Sequence, residues 1–229
     1  CKSVTTDFTK SHAGWKALDS SKTYAFTKNG LELKLLKPKK YIRKIDKATN
    51  LPYNVYPGEG STFNYTTYLQ YGSFSATMKP STVGGAVTAF IGIGNGGDEI
   101  DFEFLGGNSQ NIQSNYFWGK KIVYGINGGV HPLPGNALPG SAYHTYTINW
   151  TPTQIQWSID GKIVRTKTRA STRDSRGQYE YPTEPLRIQL GIWDSSTVPG
   201  TAQWANGPIN WDKQKSSVKA YIKKVTITC

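Results

Sequence analysis

The chain has 229 residues, of which 37% are apolar and 18% charged, and it carries 24 Gly, 14 Tyr and 7 Trp. Strand and turn formers thus stand where helix formers would, which excludes a mostly helical protein, and the longest apolar run, Gly84 to Gly94, is too short to span a bilayer. Lys and Arg exceed Asp and Glu by 27 − 15 = 12, which suits anionic surroundings, yet no zinc-finger spacing or RNA-binding motif accompanies them, so no nucleic-acid partner is expected.

Cys1 opens the chain, Cys229 closes it, and no other cysteine is present. A Cys1–Cys229 disulfide is expected to tie the ends together, as when the terminal strands of a sandwich lie side by side. Disulfides persist in oxidising compartments, and the sequons beginning at Asn64 and Asn149 are candidate glycosylation sites of a secreted, extracellular protein. No signal peptide is present, so the chain reads as a mature or trimmed form.

Strand signals begin at 31–36 and recur at 72–79, 86–93, 99–105, 112–118, 145–151, 154–160, 162–168, 186–193 and 217–228. Alternation puts Tyr146, Ile148 and Trp150 on one face, and Ile155, Trp157 and Ile159 on another, so Trp150 and Trp157 belong to the core. Asp160-Gly161 predicts a two-residue hairpin, because both turn positions need positive φ. Segments 37–60, 131–143 and 169–184 resist strand assignment and are expected to be loops that shape a binding surface. With no linker or repeat, residues 1–229 read as one all-β domain, a sandwich of two antiparallel sheets or a jelly roll.

The decisive segment is 98–104, DEIDFEF. Its period of two puts Glu99, Asp101 and Glu103 on one face and Ile100, Phe102 and Phe104 on the other. Like charges aligned on one strand face repel, so stability alone does not select this pattern. A solvated face or a cation site are the bland readings; paired-carboxylate catalysis is the one the flanking apolar and Gly residues favour. Glu99 and Glu103 lie about 13 Å apart along a strand, and inward tilt can bring their carboxyls to the roughly 5 Å of a retaining glycosidase. His12, His131 and His144 sit at unrelated positions, and no phosphate loop is present, so neither a metal nor a cofactor is expected.

Glu99-x-Asp101-x-Glu103 within DEIDFEFLG resembles the signature of glycoside hydrolase family 16. That resemblance implies a β-jelly-roll fold with a substrate cleft on its concave face and a retaining mechanism. It makes Glu99 the nucleophile, Asp101 the assisting residue and Glu103 the general acid/base. The string from Gln113 to Phe117 resembles the neighbouring strand of the family, with Gln113 and Asn115 lining the cleft and one of Tyr116 and Trp118 facing it. Tyr143-His144-Thr145-Tyr146 followed by Trp150 resembles a further strand. His144 there either bonds to a carboxylate or holds a buried structural place. Gly191-Ile192-Trp193-Asp194 and the block from Trp204 to Trp211 look most like the fungal Crh-type enzymes. Trp193, Asp194 and Trp204 are accordingly expected at the substrate, and Trp211 in the structure.

The resemblance implies a secreted, monomeric cell-wall transglycosylase that moves chitin or β-glucan chains onto β-glucan or oligosaccharide acceptors. An endo-β-glucanase and a non-catalytic lectin are the alternatives. The basic surface is expected to contact anionic wall polymers.

Overall fold

The computed structural model describes residues 2–107, 112–119, 121, 123–133, 135 and 137–229. The chain first forms β1 (Val4–Asp7), β2 (Trp15–Ala17), β3 (Tyr24–Thr27), β4 (Gly30–Leu35), β5 (Arg43–Ile45) and β6 (Pro52–Asn54). Long strands follow: β7 (Ser61–Leu69), β8 (Gly72–Lys79), β9 (Ala86–Ile93), β10 (Glu99–Leu105) and β11 (Ile112–Phe117). Then come β12 (Gly129–His131), β13 (His144–Trp150), β14 (Gln154–Ile159), β15 (Lys162–Thr168), β16 (Leu186–Asp194), the short helix α1 (Pro199–Trp204) and β17 (Val218–Thr228).

Two antiparallel sheets hold these strands. One runs β12-β11-β10-β9-β16-β7-β2, and the other runs β15-β14-β13-β8-β17-β4-β3, with β1 also on β17. The core between them is aromatic. Phe102 and Phe104 of β10 meet Tyr146 of β13 at ring-centroid distances of 5.7 and 4.5 Å, and Phe74 of β8 meets Phe90 of β9 edge-on at 5.4 Å. Gly92 leaves room for this packing, since a Cβ there would lie 3.1 Å from the Phe74 ring. Polar bonds also cross the core. The buried Trp157 indole donates to the Asp101 carbonyl (3.0 Å), and Arg165 donates from β15 to the Ser114 carbonyl (3.0 Å) and hydroxyl (2.8 Å) on β11.

All ten strands expected from the sequence form, within a residue or two of their expected ends. Asp160 and Gly161 have φ of 48° and 79°, as a hairpin with two positive-φ positions requires. Among the described residues, seven strands lie outside that expectation. β1, β2, β3, β5, β6 and β12 are only three or four residues long, and β7 is rich in Asn, Thr and Tyr and carries a bulge against β16. The expected loop 37–60 contains the β5–β6 ribbon, which belongs to neither sheet. The chain ends do meet: β1 pairs with β17, Val4 opposite Ile227. Cys229 is disulfide-bonded, while Cys1, its expected partner, lies outside the described residues.

Asp98, just before β10, pins the loops that flank this strand. Its carboxylate is 3% exposed and accepts from the backbone N–H groups of Gly119 (2.7 Å), Thr183 (2.6 Å) and Glu184 (2.8 Å). Hydrogen bonds to a charged acceptor contribute about 1.5–3 kcal/mol each, and the three donors would be stranded without it. Asp98→Ala should therefore lower unfolding stability by roughly 3 kcal/mol or more. A denaturant midpoint equal to that of the parent chain would show that the carboxylate is dispensable.

Candidate active site

Residues directly opposite one another in antiparallel strands project to the same side of a sheet. The pairing registers therefore assemble the acidic face row by row. Glu103 is flanked by Gln113 on β11 and Ala89 on β9, and the row continues through Gly191 of β16 to Thr62 of β7. Asp101 lies between Asn115 and Ile91, followed by Gln189 and Asn64. Glu99 lies between Phe117 and Ile93, with Arg187 beyond. Ala89 and Gly191 carry no side chain larger than a methyl, so they leave a trough beside Glu103.

The three carboxyls sit in different surroundings. Asp101 is 1% exposed, and burial, then Glu103 and Glu99, hold its carboxyl well above the usual carboxylate range. It shares a hydrogen bond with Glu99 that favours the proton on Asp101 and the charge on Glu99. Glu99 is itself raised by burial, and the bond from Asp101 opposes that rise. Burial and the charge of Glu99 push Glu103 up to about 7, against a hydrogen bond with Trp193 that favours the charged form. The face thus carries one carboxyl whose surroundings most favour the neutral form, one whose charged form is helped by a donor, and one that changes state near neutrality. Such a set can run acid, base and nucleophile chemistry in one place.

Trp193 follows Glu103 along the face, in line with Leu105 and Val87, and packs on Val87, Leu105 and Ala205. Trp204, at the end of α1, stacks on it with centroids 6.3 Å apart and planes 24° off parallel, and remains 37% exposed. Gln113 and Asn115 are half-buried on the same face, as expected. Trp118 lies just past β11, half-buried, with the Lys121 ammonium 5.0 Å from its ring centroid.

Several expected residues lie elsewhere. Tyr116 is 2% exposed and points into the core; Phe117 is the aromatic on the acidic face. Alternation from Gln113 and Asn115 already carries that signal. His144 belongs to β13 in the opposite sheet, where its Nδ1 bonds the Asp160 carboxylate at 2.7 Å, so it has the structural role of its two readings and no contact with Glu99, Asp101 or Glu103. Asp194 braces two loops: its oxygens accept from the backbone N–H groups of Gly58 (2.8 Å) and Ser196 (2.9 Å). Asn64 is 7% exposed within β7, and its amide oxygen accepts from Gln189 (2.7 Å), which leaves no room for a glycan. Asn149 projects away from the core and is half-buried. Trp150, Trp157 and Trp211 are buried. Among the described residues, no group of three His, Cys, Asp or Glu has the arrangement to hold a metal ion.

Residues 11–219 match the family model described as Glycosyl hydrolases family 16. The chain is 40% identical over 177 residues to the Crh-like protein UTR2 of Candida albicans, covering 74% of this chain and 37% of that protein. It is 37% identical over 170 residues to the Crh-like protein 2 of Aspergillus fumigatus, covering 71% and 38%. The chain therefore spans less than two-fifths of the length of these relatives. Among solved structures, a Crh5 transglycosylase in complex with NAG aligns over 100% of this chain and 84% of its own, with a TM-score of 0.83 and 27% identity. A Bacillus licheniformis β-glucanase aligns over 99% and 98%, with a TM-score of 0.76 and 22% identity, and shows the same jelly-roll sandwich.

The raised carboxyl at position 103 has a consequence for stability. An ordinary Glu titrates near 4.5, and Glu103 in the fold near 7. Below the first value, folded and unfolded chains both hold the proton. Between the two, the unfolded chain has released a proton that the fold retains, so stability falls as pH rises, and above the second the loss is complete. Glu103→Gln removes that loss. Its unfolding temperature should exceed the parent's at about pH 8 and match it at about pH 4, and a pH-independent difference would contradict the assigned environment.

Proposed function

The chain belongs to glycosyl hydrolase family 16, and from that membership we propose that it is a retaining transglycosylase acting on β-linked polysaccharide in the fungal cell wall. The observation that carries this reading is the graded acidic face, with Glu103 near 7 beside an ionisable Glu99 that accepts from Asp101. Glu99 attacks the anomeric carbon while Glu103 gives its proton to the departing glycosidic oxygen, leaving a glycosyl ester on Glu99. Glu103 then takes the proton of an incoming hydroxyl, whose oxygen displaces Glu99 at the same carbon. Asp101 holds Glu99 in place through its proton and, by its burial, keeps the strand face from carrying three charges.

Transfer is favoured over hydrolysis by the stacked Trp193–Trp204 pair at the Glu103 end. Indole faces bind sugar rings at little side-chain entropy cost and keep water from the ester. The Crh5 transglycosylase whose fold this chain shares holds NAG, the monomer of chitin, and this supports a chitin-type donor with a β-glucan or oligosaccharide acceptor. The remaining parts of the reading are a monomeric catalytic domain, secretion to the wall, and a glycan on Asn149.

Labelled chito-oligosaccharides incubated with a β-glucan acceptor test the proposal by product size. Glu99→Gln and Glu103→Gln should each lower turnover by roughly 10²–10⁴-fold with the fold intact, because neither opens a core cavity. Turnover should rise as Glu99 ionises and fall as Glu103 loses its proton near pH 7. Trp204→Ala should raise the ratio of hydrolysis to transfer. Products of hydrolysis alone, at high acceptor concentration, would replace transfer with an endo-glucanase activity; no turnover of any β-glucan or chitin would leave the lectin reading.

A further inference from the structure

The densest run of positive charge in the sequence lines a groove that the catalytic proposal does not use. The groove has a volume of about 570 Å³, within the range of small-ligand sites, and its walls include Lys37, Pro38, Lys39, Lys40, Tyr56 and Pro57. Glu59 is the one carboxylate among its lining residues, so the lining carries a net charge of 3 − 1 = +2. Among the described residues, Lys39 and Lys40 form no ion pair, and Lys37 shares its ammonium between Asp212 (3.3 Å) and the face of Tyr41 (5.4 Å). Asp212 brings with it the turn that carries Lys213 and Lys215. Like charges gathered with so few counter-charges weaken the fold, and a bound anion would relieve them.

The groove is built from fixed backbone. Leu36 and Glu59 exchange hydrogen bonds of 2.9 and 3.1 Å across its floor. The β5–β6 ribbon is held by Asn54, which donates from its backbone to the Ser196 carbonyl (2.8 Å) and from its side chain to the Ile209 carbonyl (2.9 Å). Gly58 ties the groove to the catalytic face, because its N–H donates to Asp194, the residue after Trp193. Tyr56 is 41% exposed, and the Lys40 ammonium lies 5.9 Å from its ring centroid, so an aromatic face and cations are presented together.

We infer that this groove binds an anionic glycan, a chain of sugars carrying carboxylate or phosphodiester groups, next to the site where the neutral polysaccharide is processed. The lysines meet the charges, Tyr56 and the prolines meet sugar faces, and the contact through Asp194 joins the two sites. The inference goes beyond the catalytic reading and is measured separately from it.

The test titrates the full chain with three labelled oligomers of equal length: an oligogalacturonate, a phosphodiester-linked hexose oligomer and a neutral β-glucan. The anionic oligomers should bind more tightly than the neutral one, less so as salt rises, and the better of the two names the charged group. Lys37→Ala/Lys39→Ala/Lys40→Ala should weaken anionic binding roughly tenfold, while Lys162→Ala/Lys167→Ala on β15 should not. Tyr56→Ala should weaken the anionic oligosaccharides and leave inorganic triphosphate unchanged. Turnover of neutral β-glucan by the triple variant should match the parent's, and its unfolding temperature should not fall below the parent's. Equal losses in the two lysine variants would reduce the effect to net charge and overturn the inference. So would tighter binding of oligouridylate than of either oligosaccharide, or loss of neutral turnover in a stably folded triple variant. Absence of turnover in the parent chain would instead fail the catalytic proposal and leave the binding result standing.

Discussion

The acidic face depends on keeping Asp101 dry while a glutamate stands on either side of it. Three ionised carboxylates in one strand row would repel one another, and burial of the middle one favours its neutral form and eases that repulsion. Ile100, Phe102 and Phe104 lock the other face of β10 into the aromatic core, where the Trp157 indole holds the Asp101 carbonyl from the opposite sheet, while Asn115 and Ile91 flank the Asp101 side chain on the acidic face. Each of the three acidic positions then inherits its chemistry from its neighbours. A change in the core that let water reach Asp101 would alter Glu99 and Glu103 without touching either.

The two ends of the trough are unlike. Level with Glu99 stand Phe117 and Arg187, whose guanidinium donates to the Tyr68 hydroxyl (3.3 Å). Beyond Glu103 stand two stacked indoles on a bed of Val87, Leu105 and Ala205. Between them Ala89 and Gly191 leave the floor bare. A polymer lying in such a trough meets polar and cationic groups at one end and flat apolar surfaces at the other, so its two directions differ in energy.

How much of this was legible in the sequence follows from the range of each interaction. The acidic row, the core row behind it and the Asp160-Gly161 turn all depend on residues within a few positions, and alternation or turn chemistry reveals them. Phe117 was legible too, since it keeps step with Gln113 and Asn115. Arg187, Gln189 and Asn64 were not, because they reach the face only through the order β10-β9-β16-β7, whose last two joints pair residues such as Gln189 with Ile91 and with Asn64, far apart in the chain. The same long-range order sends His144 into the other sheet. Asp194 reads as a ligand-binding polar group, and only the loop that brings Gly58 against it shows that its oxygens brace the backbone. Asn64 has a sequon's spelling, but its strand is buried where the amide lies.

The pairing of β1 with β17 has a practical consequence. Both ends of the chain leave from the sheet that does not carry the carboxylates, and Val4 faces Ile227 across one ladder. A short peptide could therefore join them into a ring, and new ends could be cut at the exposed Asp160-Gly161 hairpin without crossing the trough. Cargo attached beside β1 or β17 would hang behind the molecule and leave the entrance for a polymer open.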